Sequence, residues 1–198
     1  MSYSLDFSSL PTDSSFSSRS ILIGVSQEIR GRLKSMPRTL ERIESAIMFA
    51  KQCSKESEPW RAAAYLRAAL AEYCSIEEIQ KLDQVGAKHF RVGDSKNPLI
   101  HLLKLLRHLN IHVKSNVAAK HSINVSLGDQ IFDMDVYVIS DINVMELTKL
   151  RNGIFYTQAD LERCVDWFNQ HQSLWGAGDL IDIGTSMFAI ELAEHYGL

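Results

Sequence analysis

"LIHLLKLLRHLNIHVKSNVAAK", residues 99–120, decides how this chain is read. Leucine and isoleucine recur along it at helical spacing, and Asn97-Pro98 just ahead supplies an N-cap and a first-turn proline. At 3.6 residues per turn the stretch is expected to be a helix of about six turns. Its polar content is unusual: Arg107, His108, Asn110 and His112 fall within six positions. A packed core has no use for them, and a solvated face would carry lysine and glutamate more cheaply.

The flanks continue the helical period. Residues 25–35 read as a short helix stopping before Pro37. "RTLERIESAIMFAKQCS", 38–54, puts Leu40, Ile43, Ile47 and Ala50 on one stripe. Ser57 and Pro59 start "WRAAAYLRAALAEYCS", rich in the best helix formers. Ser75 with Glu78 forms a capping-box pattern, so a new or re-aimed helix is expected from Ile76. Gly86 and Gly93 bound a loop. After residue 120 the period changes to two: "SINVSL" and "IFDMDVYVIS", joined by "GDQ", predict a β-hairpin at about 122–139. Helical signals return near Val144–Arg151. Thr157 with Asp160 starts another helix, "GAGD" at 176–179 breaks it, and "LIDIGTSMFAIELAEHY" forms the last one.

Residues 1–20 hold nine serines and little apolar period, so they are expected to be a disordered tail. The remainder, 21–198, reads as one mainly α domain with a small β-hairpin insertion. No apolar run is long enough to span a bilayer. Cys53, Cys74 and Cys164 lie far apart, with no C-x-x-C pair and no signal-peptide pattern, which points to a reducing cytoplasm. They are read as buried small hydrophobes.

Net charge is −3, so the chain is not a general polyanion binder. The charge is uneven, however. Residues 88–121 contain seven lysines and arginines against the single acid Asp94, and five of the seven histidines. A basic, His-rich helix in an acidic protein is a local anion site, and phosphate is the obvious anion.

Three readings of the cluster compete. His108 and His112 are spaced i, i+4, and His101 falls on the same face, as in a metal site; yet no carboxylate is near and the flanking lysines would repel a cation. The polar groups could instead hydrogen-bond across a helix interface. The third reading is general acid–base chemistry on a phosphodiester, for which histidine has the right pKa and arginine the right fork.

Arg107-His108-x-x-x-His112 resembles the R-x(4–6)-H signature of HEPN-domain proteins, in which Arg is followed by Asn, Asp or His and a His comes shortly after. The resemblance covers about residues 38–120. It implies an up-and-down helical bundle that dimerises, two motifs facing each other in one composite ribonuclease site, and no metal or other cofactor. It implies His112 as the general acid or base, Arg107 as the phosphate holder and His108 as an orienting group. Lys104, Lys114 and Lys120 would then bind RNA. Many relatives are toxins or defence components, which makes a neutralising antitoxin a possible partner; the alternative is a non-catalytic RNA-binding or protein-interaction module of the same fold. The Ser-rich tail and the hairpin depart from the family pattern. In an ideal helix Arg107 and His112 are about 140° apart, so convergence on one phosphate needs a distorted helix or a second subunit.

Asp133 and Asp135 share one strand face and could hold Mg²⁺, but they read more simply as charges protecting a hairpin edge. Trp60, Trp167 and Trp175 read as core or interface anchors. Arg151-Asn152 also places Asn after Arg, but no His follows at the required distance.

Overall fold

The computed structural model describes residues 2–12, 24–84, 86–112, 118–127, 130–140 and 142–198; within these, the side chains at 111, 112, 125–127, 130 and 132 lie outside the description. The helices are α1 (Gln27–Arg32), α2 (Pro37–Lys55), α3 (Pro59–Asp83), α4 (Pro98–His112), α5 (Val144–Lys149), α6 (Gln158–Trp175) and α7 (Ala177–His195). Between α4 and α5 lie strands β1 (Ala118–Leu127) and β2 (Gln130–Ile139), and short 3₁₀ turns cover Phe7–Ser9, Leu33–Ser35, Val92–Asp94 and Gly153–Phe155. The chain is thus mainly helical, with one two-stranded antiparallel sheet.

Local chemistry sets the helix boundaries. Ser26 and Thr157 cap α1 and α6 by accepting from the amides of Ile29 and Asp160. Prolines preset the first turns of α2, α3 and α4. Gly176, at φ +87°, ends α6 and leads straight into α7, so the predicted break takes a single residue.

α2 lies along α3 and against α7, while α4 packs between α3 and α7. Tyr73 and Leu70 of α3, Leu103 and Leu106 of α4, and Phe188 and Leu192 of α7 are fully buried together. Each such leucine contributes about 2 kcal/mol of hydrophobic stabilisation. Two glycines allow the helices to approach closely. A Cβ on Gly178 would lie 2.6 Å from the Ala50 carbonyl oxygen, and one on Gly184 would lie 2.5 Å from Leu103 Cδ1.

Four sequence expectations are corrected. The 99–120 helix does not reach residue 120: it is described over Pro98–His112, about four turns, and residues 118–120 belong to β1, where Ala118 pairs with Ile139 and is buried; 113–117 lie outside the described residues. The capping box at Ser75 does not form. Its hydroxyl donates to the Glu72 carbonyl instead, and α3 runs unbroken because Ile76 and Gln80 are buried on its inner face. Residues 2–12, inside the expected tail, are packed against the body: Tyr3 stacks among His101, Phe155 and Tyr156, and Leu10 joins the core. The rest of that tail, at 13–20, lies outside the described residues. Trp60 is 66% exposed, so it anchors no core, and the Arg61 guanidinium lies over its ring.

Candidate functional site

Helix α4 is buried on most of its surface. Lys104, Arg107, His108 and Asn110 are the half-buried positions within residues 98–110. Spacings of three and four place Lys104, Arg107 and His108 in one strip. Among the described side chains, Lys104, Arg107 and His108 thus form a strip that reaches solvent, with Asn110 beside it.

The strip divides by partner. Lys104 pairs with Glu77 of α3, and both side chains are largely covered. Glu77 also accepts from the Val92 amide at 2.6 Å, which fixes its carboxylate. Glu77 and Lys104 line a polar groove with Glu78, Lys81, His89 and Arg91, where two carboxylates partly offset three cations. Arg107 leans toward the α3 side as well, and its Nε is buried with no hydrogen-bond partner among the described residues. Cys74 lies within reach of both cations, but burial dominates and pushes its thiol up to about 12.

His108 faces the other way. Its Nε2 lies 3.1 Å from the Asn152 amide nitrogen. In this contact the amide donates and Nε2 accepts, which suits an orienting group. The two residues lie beside a cavity of about 640 Å³ that is also lined by Leu150, Arg151, Ile154 and Phe155. Arg151-Asn152 has no histidine following at the motif spacing, but folding brings one to Asn152 from α4. Phe155 was missed altogether, and its one sequence signal was an apolar pair, Ile154-Phe155, beside a turn glycine.

His101 does not share this site. Tyr156 donates its hydroxyl to Nδ1 at 2.7 Å, and Nε2 donates to the Ser95 carbonyl at 2.9 Å. Both ring nitrogens are occupied, and burial holds the imidazole below its ordinary pKa, so it stays neutral. The three-histidine metal set thus loses His101. Among the described residues no group of three His, Cys, Asp or Glu side chains clusters as metal ligands.

The side chain of His112 and the whole of Lys114 lie outside the described residues; the backbone places His112 at the last position of α4. Lys120 lies on β1, and its ammonium meets Asp135 of β2 at 2.6 Å. Ser122 donates to the same carboxylate at 2.7 Å. Asp135 is thereby held below the usual carboxylate range, chiefly by its bond to Lys120. The pair is half exposed and contributes little to stability. Cys53 and Cys164 are buried, and burial pushes both thiols up to about 12.

Among the described residues no helix is long and apolar enough to cross a membrane. Comparison with family models, with curated proteins and with solved structures finds nothing that matches this chain.

Proposed function

We propose that this chain is a metal-independent endoribonuclease of HEPN type, a cytoplasmic toxin or defence component whose composite site forms between two copies of α4. The observation that carries this reading is the strip Lys104, Arg107, His108 on a helix, described as far as His112, that is buried over most of residues 98–110. Buried helices carry such groups only where they are used or paired. The mainly helical architecture is compatible with a HEPN bundle.

In this reading His112 moves the proton between the 2′-hydroxyl and the leaving oxygen. Arg107 offsets the charge that develops on the phosphate. His108, oriented by Asn152, holds the site in register. The need for a 2′-hydroxyl makes the substrate RNA. Because Arg107 and His112 are about 140° apart on one helix, the second copy supplies one of them to each phosphate.

A non-catalytic RNA-binding or protein-interaction module is the second reading. It is favoured by the capture of Lys104 by Glu77 and of His108 by Asn152, which leaves fewer groups free for chemistry. RNA cleavage by wild type beside His112→Ala separates the two. The enzyme reading expects cleavage that His112→Ala abolishes with little change in melting temperature. Equal cleavage by both proteins, or none by the wild type, removes it.

A further inference from the structure

The cavity between His108 and the 150–155 turn is built more rigidly than a surface dent. Gly153 is buried, and a Cβ there would lie 2.0 Å from the Leu147 carbonyl oxygen, so the turn closes backbone to backbone. The Gly153 amide donates to Leu150 and the Tyr156 amide donates to Gly153. Tyr156 is then tied to His101, and Tyr3 fixes Phe155 through its own amide at 2.8 Å and through ring packing at 5.5 Å. This frame holds Ile154 72% exposed and Phe155 36% exposed at the cavity wall. An apolar pair held out in solvent by a fixed turn is a recognition surface in form.

The polar lining decides what it recognises. Arg151, Asn152 and His108 line the cavity, and among the described residues none of its lining is acidic. Arg151 is exposed and has no ion pair among the described residues. The groove around Arg91 and Lys104 is basic too, but there Glu78 pairs with Lys81 and Glu77 with Lys104. An aromatic ring for stacking, a carboxamide for a base edge and a lone guanidinium for a phosphate together fit one nucleotide unit of a single strand. The volume is also right for a ligand of that size.

We infer that this cavity is a subsite for single-stranded RNA, with a base stacked on Phe155 and its phosphate held by Arg151. The inference rests on the reading of the α4 strip as an RNA-facing site, but not on cleavage. It adds Arg151 to the cations of the α4 strip and places the bound strand on the α5–α6 side of α4. Duplex RNA would be refused, because its bases are not free to stack.

Binding of a ten-nucleotide 2′-O-methyl RNA, which lacks the attacking hydroxyl, tests this by fluorescence anisotropy. Phe155→Leu keeps the apolar volume and should weaken binding about tenfold, the scale of one lost stacked base, with an unchanged melting temperature. Arg151→Ala should weaken binding and lower the salt slope by about one. Arg91→Ala, in the groove that carries carboxylates, should bind within about twofold of wild type. Wild-type affinity in both cavity variants, an equal loss in Arg91→Ala, equal binding of a duplex, or no binding by wild type would each overturn the inference. Parallel assays on unmodified RNA keep the two ideas apart: binding without cleavage removes the enzyme reading alone, and cleavage that survives both cavity variants removes the subsite alone.

Discussion

Tyr156 gives its hydroxyl proton to Nδ1 of His101 across 2.7 Å, deep in the protein, while the opposite ring nitrogen gives its own to Ser95. The imidazole is neutral, and burial keeps it so by lowering its pKa. In the unfolded chain the same ring takes up a proton near pH 6.5. Below that pH the unfolded state binds more protons than the folded one, so the stability that His101 contributes is lost on acidification. The margin of wild type over His101→Gln in urea denaturation should therefore shrink between pH 7.5 and pH 5.5. A margin constant with pH would show that the ring is not held neutral.

Asp182 on α7 works in the opposite sense. It is 1% exposed, its Oδ2 has no hydrogen-bond partner among the described residues, and the Lys51 ammonium stands 3.9 Å away. Burial raises its pKa to about 7. Between about pH 4 and pH 7 the folded state holds a proton that the unfolded chain has released, so this contribution falls as pH rises. Asp182→Asn should be more stable than wild type at pH 8 by about 1–3 kcal/mol, the scale of an unmet desolvation penalty. The advantage should vanish near pH 4; denaturation curves at both pH values check it.

Gly178→Ala should destabilise by about 1–3 kcal/mol, because the added methyl meets the Ala50 carbonyl, which cannot swing aside. Gly31→Ala on α1 is the control. A Cβ there meets nothing within 4 Å, so the change should stabilise by about 0.5–1 kcal/mol. Thermal melts of the two variants should move in opposite directions.

RNA cleavage, if His112 and Arg107 supply it as proposed, should survive EDTA and should fall as the protein is diluted below its dimer dissociation constant. Loss of activity in chelator, restored by zinc, would return the metal reading with a ligand set other than His101. Single-turnover assays with and without chelator, over a dilution series, decide it.

The helices were legible because their signals are local: capping serines and threonines, first-turn prolines and a stripe such as Ile43, Ile47, Ala50 on α2. The hairpin was legible too, from alternation alone. The end of α4 was not, because "NVAAK" has good helical propensity and only pairing with β2 makes Ala118 a strand residue. Ser75 misled for a related reason: a capping-box pattern inside a helix is silenced when the next turn is buried. At the candidate site, Arg107 and His108 looked like one unit because they are adjacent in sequence. On α4 they diverge, one toward α3 and the other toward Asn152. Asn152 lies 44 positions downstream, a distance no local spacing rule spans.

Gly178 brings α7 onto the Ala50 carbonyl and the Ser54 side chain of α2, and Gly184 makes room on α7 for the Leu99 and Leu103 side chains of α4. One hydrogen atom at each of two positions thus sets how near α7 stands to its neighbours: a methyl at 178 has to displace the Ala50 carbonyl, and a methyl at 184 the end of the Leu103 side chain.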